Sequence, residues 1–155
     1  MVDVFSKAKR SEVMARIRSR NNKATEIAFM TLLRSHRITG WRRHLPITLP
    51  KSSEENRDRR RRQVKPDFVF RARRLAVFID GCFWHGCSIH GTKPNANKEF
   101  WRNKLRSNRA RDRFVDQALR QKEWTVLRFW EHQLRRGDWV MTKLKRLTTT
   151  LDTST

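Results

Sequence analysis

Helical spacing of apolar residues appears twice near the start of the chain. From Ser11 to Arg20, SEVMARIRSR places Val13, Met14 and Ile17 on one stripe, and ATEIAFMTLLRSH (24–36) does the same with Ala28, Phe29, Leu32 and Leu33. Both are expected to be amphipathic helices. After a break at Thr39-Gly40, WRRHLPIT (41–48) is expected to be a strand. Residues 51–65, KSSEENRDRRRRQVK, carry seven basic residues and three acids with no core former, which predicts a loop or disordered insert. PDFVF and LAVFID are short apolar runs separated by Arg71 to Arg74, and they predict a hairpin with at least its second strand buried. A long helix is expected from Asn97 to Lys122, with Phe100, Trp101, Leu105, Val115 and Leu119 as its apolar positions, and TVLRFW is expected as a further strand. A closing helix from Asp138 to Leu151 has Asp138 as its cap and Leu144, Leu147 and Leu151 as its stripe. The order helix, helix, strands, helix, strand, helix predicts an α/β fold, a mixed sheet covered by helices. A chain of 155 residues fits one such domain spanning 1–155.

Charge narrows the partners. The chain carries 37 Lys and Arg against 15 Asp and Glu, a formal net charge of +22, spread from end to end. A polyanion is the expected partner. No apolar run reaches the about 18 residues of a spanning helix, and MVDVFSKAKR lacks the apolar centre of a signal peptide. A cytoplasmic nucleic-acid binder is therefore expected and a membrane protein is not, with a ribosome-associated or merely basic protein as the plainer alternative.

DGCFWHGCSIHG, from Asp80 to Gly91, holds both cysteines of the chain and directly follows the apolar strand LAVFID. Loops at the ends of central strands are where sites are usually built, because the sheet fixes their position. Cys82, Cys87 and His90 are spaced closely enough for one tetrahedral zinc, which needs a fourth ligand. His132 is the best candidate, since TVLRFWEH is a second apolar strand ending at a histidine, and parallel neighbours would bring the two ends together. The alternative is a disulfide or two inert thiols, and an intracellular chain disfavours the disulfide. Phe83 and Trp84 either project from the loop as a wedge for stacking on bases or pack beneath it as core.

Taken in order, SEVMARIRSR followed by Glu26, then PDFVF, GCFWHGC, EFW with RARDR beyond it, and WTVLRFWEH resemble successive motifs of the very short patch repair (Vsr) DNA mismatch endonucleases. The resemblance covers nearly the whole chain. It implies a restriction-endonuclease-like fold that nicks one strand of duplex DNA at a thymine mispaired with guanine, with magnesium for the chemistry and zinc for structure. It further implies a monomer, with mismatch-repair proteins as further partners. Residue by residue, Asp67 of the PD motif would hold magnesium together with the backbone carbonyl of Ile79, a pairing of oxygen ligands with a hard cation. His85 matches the catalytic histidine, suited to proton transfer near neutral pH. Glu26 corresponds to an acid that orients metal-bound water. Phe83, Trp84 and Trp101 match the aromatics that wedge into the duplex.

Three departures from the family pattern bear on these roles. Asp80 stands where the studied pattern has a histidine that pairs with an acid matching Asp112. Two such carboxylates would repel, so one is protonated, an arginine lies between them, or Asp80 turns to a metal ion as a further catalytic acid. The zinc set of two Cys and two His replaces one with three cysteines. The basic insert 51–65 precedes the PD motif, either tracking phosphates or lying as a solvated surface run. Two other readings stand beside mismatch nicking: a site- or structure-specific nicking endonuclease of the same fold, and a zinc-stabilised DNA-binding protein without activity. The set Glu26, Asp67 and His85 argues against the last.

Overall fold

The computed structural model of the protein describes residues 23–50, 62–91 and 97–152. The helix expected over Ser11 to Arg20 and residues 51–61 of the basic insert lie outside these, as does the side chain of Leu151. The described chain begins with a π-helical turn, Lys23–Ile27, that runs directly into α1, Ala28–Ser35. β1 (Trp41–Arg43), β2 (Ile47–Thr48), β3 (Gln63–Val64), β4 (Phe68–Phe70) and β5 (Leu75–Asp80) follow, then the long helix α2, Lys98–Gln121. β6 (Thr125–Trp130), a 3-10 turn (Glu131–Arg135) and α3, Gly137–Asp152, complete it.

Four strands form the main sheet in the order β1-β4-β5-β6, antiparallel except for the parallel pair β5 and β6. β5 lies inside this sheet with a helix over each face, which is why LAVFID reads as a continuous apolar run rather than an alternating one. Its alternate residues serve different cores. Leu75, Val77 and Ile79 join Phe29 and Leu33 of α1, Phe68 and Phe70 of β4, and Val140, Met141 and Leu144 of α3. Ala76 and Val69 face the other way, toward Ala118 and Leu119 of α2 and toward Ile47 and Leu49. The expected mixed sheet flanked by helices is thus observed. Phe29 ties the larger core together, with ring centroids 4.9 Å from Phe68 and 5.6 Å from Phe129. α1 and the start of α3 approach closely: a Cβ on Gly137 would lie 2.6 Å from Leu32 Cδ2.

Four local expectations are corrected. WRRHLPIT is two strands in two sheets, because His44 turns left-handed (φ 51°) and Pro46 has no N–H to continue a ladder. Gln63–Val64, expected inside a loop, pairs antiparallel with Ile47–Thr48 in a separate two-stranded sheet. Backbone bonds make that pairing, so polar side chains did not announce it. Phe100, expected on the apolar stripe of α2, is 60% exposed. Asp138 sits in the first turn of α3 rather than capping it, with its side chain exposed.

Candidate active site and metal centre

The parallel pairing of β5 with β6 sets Asp80 opposite Trp130, so the loops leaving both strands emerge at one edge of the sheet. Cys82, Cys87, His90 and His132 meet there, each offering a ligand atom within 4.8 Å of the others. Cys82 Sγ lies 3.2 Å from His132 Nδ1 and Cys87 Sγ 3.7 Å from it. Both cysteines are buried and not joined to each other. Burial opposes ionisation of Cys87, yet the backbone N–H groups of His90, Ile89 and Gly91 directed at it hold its thiol below the ordinary range. Two soft cysteine sulfurs and two imidazoles converging from separate loops fit zinc in number and kind. The turn that presents them depends on close backbone packing: Gly91 N donates to Cys87 O at 2.9 Å, and a Cβ on Gly91 would lie 2.3 Å from that oxygen.

The same turn carries His85, on the side of α2. Its Nδ1 lies 2.6 Å from Asp112 Oδ2 and 3.7 Å from Asp80 Oδ1. Asn108 and Arg109 of α2 clasp this turn, Asn108 Nδ2 donating to Trp84 O at 2.8 Å and Arg109 Nη2 to Gly86 O at 2.7 Å. With its proton on Nδ1, toward Asp112, the imidazole would have Nε2 free to accept another. Of the three arrangements open to Asp80 and Asp112, the structure takes the one with an arginine between them. Arg128 of β6 reaches Asp80 at 2.8 Å and lies 3.7 Å from Asp112. Burial raises the Asp80 carboxyl above its ordinary range, with Arg128 and His85 acting against this and Asp112 adding repulsion.

Asp67 precedes β4 and accepts a hydrogen bond from Ile79 N at 2.7 Å. Burial is the main reason its carboxyl is pushed up to about 6, with the charges of Glu26 and Asp80 adding to the effect. Glu26, buried in the π-helical turn, pairs with Arg43 and with His44 Nε2, the latter at 2.9 Å. Glu26, His44 and Asp67 offer ligand atoms within 4.8 Å of one another. A partly buried corner with two carboxylates suits a hard divalent cation.

Asp67, Asp80, His85 and Asp112 line one open cleft of about 950 Å³, together with Arg62, Lys65, Lys104 and Arg111. Trp84 lines it too. Trp84 belongs to an aromatic cluster in which Phe83 stands 5.1 Å from both Trp84 and Trp101, with Phe100 packed edge-on to Trp101. Phe83 and Trp84 are half-buried, whereas Trp101, expected to project with them, is only 9% exposed and lies beneath. Phe100 is the outermost ring.

Sequence reading missed Arg128, Asp116, Arg43 and His44. A charged residue interrupting the apolar strand TVLRFW was a usable signal for Arg128, and Asp116, one helical turn beyond Asp112, falls on the same face of α2. Among the described residues no helix is long and apolar enough to cross a membrane.

A family model described as DNA mismatch endonuclease Vsr matches residues 56–91. The type II nicking enzyme V.XorIIP of Xanthomonas oryzae pv. oryzae is 36% identical over 138 residues, which are 86% of this chain and 88% of that protein. The DNA mismatch endonuclease Vsr of Escherichia coli is 35% identical over 136 residues, 87% of this chain and 77% of that protein. Similarity to the type II nicking enzyme V.NaeI of Lentzea aerocolonigenes is higher, 58%, but over 71 residues, so the match spans 43% of that relative's length and 46% of this chain.

Proposed function

Because the chain belongs to the Vsr family and is a DNA endonuclease, we propose that it nicks one strand of duplex DNA at a thymine mispaired with guanine, using magnesium at Asp67 and a structural zinc. The observation that carries this reading is the shared cleft. Trp84, whose ring can test base stacking, lines the same space as Asp67 and His85. Recognition and hydrolysis then act on one stretch of backbone.

Asp67 and the Ile79 carbonyl would hold magnesium, which when bound would supply charge neutralisation at the scissile phosphate. His85, oriented through Nδ1 by Asp112, accepts a proton at Nε2 as water adds to phosphorus and one P–O bond of the backbone breaks. Glu26, gripped by Arg43 and His44, orients water beside Asp67. Arg62, Lys65, Lys104 and Arg111 meet the phosphates along the cleft, and Phe83 and Trp84 enter the stack, where a mispaired step resists less than a paired one. Cys82, Cys87, His90 and His132 would hold a zinc, tying the turn that carries His85 and Trp84 to the end of β6.

Single-turnover nicking of a T·G duplex and its fully paired counterpart tests the proposal. Selective nicking of the mispaired duplex is expected. Equal rates on both would leave a nicking endonuclease of the same fold without mismatch preference.

A further inference from the structure

Three carboxylates, Asp80, Asp112 and Asp116, surround one guanidinium in the cleft wall. Arg128 Nη1 donates to Asp80 Oδ1 at 2.8 Å, and Arg128 Nε lies 3.0 and 3.2 Å from the two oxygens of Asp116. Nη2 is 2.9 Å from Asp116 Oδ1 but 3.7 Å from Asp112 Oδ1. The guanidinium lies over the Phe78 ring, 4.3 Å from its centroid. β5 and β6 explain how this assembles. Phe78 is the direct cross-strand partner of Arg128, and Asp80 lies two residues along on the same face, toward the helix bearing Asp112 and Asp116.

His85 Nδ1 has two carboxylates in reach, Asp112 at 2.6 Å and Asp80 at 3.7 Å, and one proton to give. We propose that Arg128 is a positioning residue of the nicking reaction: by engaging Asp80 and Asp116 it reserves Asp112 for His85 Nδ1 and so fixes the orientation of the imidazole in the cleft. The inference rests on His85 being the base, as proposed above. It assigns Asp80 the part of anchoring Arg128, and it accounts for an acid standing beside Asp112 where the family pattern has a histidine. Arginine is required because its planar fork serves Asp80 from one edge and Asp116 from another while stacking on Phe78. A lysine ammonium has the charge without the fork.

The test measures single-turnover nicking and duplex affinity side by side in Arg128→Lys, Arg128→Gln, the double variant Arg128→Gln with Asp80→Asn, and His85→Ala. Arg128→Lys should nick at least about tenfold more slowly than the parent with duplex affinity changed less than about threefold, and Arg128→Gln more slowly still. Adding Asp80→Asn to Arg128→Gln removes the competing carboxylate and should recover about tenfold or more of the loss. The imidazole ¹⁵N and Nδ1–H resonances of His85 should shift in Arg128→Gln and return toward the parent in the double variant. Parent-like nicking by Arg128→Lys, or a double variant no faster than Arg128→Gln, overturns the positioning role. His85→Ala separates the failures. If it is inactive while Arg128→Lys is fully active, only the positioning role falls; if it nicks like the parent, the proposed site falls with it.

Discussion

Asp67 shows how a single residue carries opposite demands for folding and for chemistry. Its carboxyl is raised from 3.8 to about 6, mainly by burial. Between those values the folded chain keeps a proton that the unfolded chain releases, so stability falls as pH rises through this window. Above it the ionised carboxylate weakens the fold by on the order of 1–3 kcal/mol. Asparagine can still accept the Ile79 N–H bond without the charge. In magnesium-free buffer Asp67→Asn should therefore be the more stable protein near about pH 7, the gain disappearing by about pH 4. Urea unfolding at the two pH values measures this, and a variant weaker than the parent at neutral pH would contradict it. The same substitution should lower nicking to about one hundredth or less while duplex affinity stays close to the parent's, since it removes charge but little contact area. A rate near the parent's would remove Asp67 from the chemistry.

At the scale of elements, the turn from Gly81 to Gly91 is held from two sides, by α2 through Asn108 and Arg109 and by the end of β6 through His132. One zinc per chain is expected. Cys87→Ala should lose the metal and much of the cooperative unfolding transition, because a structural zinc contributes directly to folding, whereas His85→Ala should keep both. Metal analysis with thermal melts decides between them, and a cooperatively folded, zinc-free parent would end the proposal. Gly91→Ala is a sharper probe of the same turn. Its Cβ would meet a backbone oxygen at 2.3 Å, a clash no side-chain rotation relieves. We expect a loss of about 1–3 kcal/mol and weaker zinc retention, read by melts and by competition with a chelator.

For the whole molecule, a net charge of +22 and a cleft lined by Arg62, Lys65, Lys104 and Arg111 predict binding that weakens steeply with salt on any duplex. Discrimination should come from the aromatic cluster instead. Trp84→Ala should shrink the T·G preference in nicking by roughly tenfold, since base–aromatic stacking contributes about 1–3 kcal/mol, and leave the salt slope nearly unchanged. Trp101 is different because it is buried. Trp101→Ala should also cost about 3–5 kcal/mol of stability. Salt titrations, melts and paired nicking assays distinguish these outcomes, and an unchanged preference in Trp84→Ala would return that ring to a packing role.

Short apolar runs made β4, β5 and β6 legible in the chain alone, and helical spacing did the same for the long helix α2, because the pattern of apolar positions reports which faces of an element are buried. The run from Asp80 to Gly91 showed its cysteines and histidines for the same reason of proximity, and its motifs carried the family. Periodicity says nothing about partners distant in sequence. Arg128 meets Asp80 across 48 residues, and His85 meets Asp112 across 27. Only tertiary structure decided that Asp112 rather than Asp80 stands at hydrogen-bond distance from His85 Nδ1, and that Glu26 is gripped by Arg43 and His44. It alone ended β1 at Arg43 and paired Gln63–Val64 with β2, since backbone hydrogen bonds leave no mark on side-chain pattern. It also buried Trp101 and exposed Phe100, two large aromatics adjacent on one helix: the 100° turn between them, and what lies against each face, separates their fates.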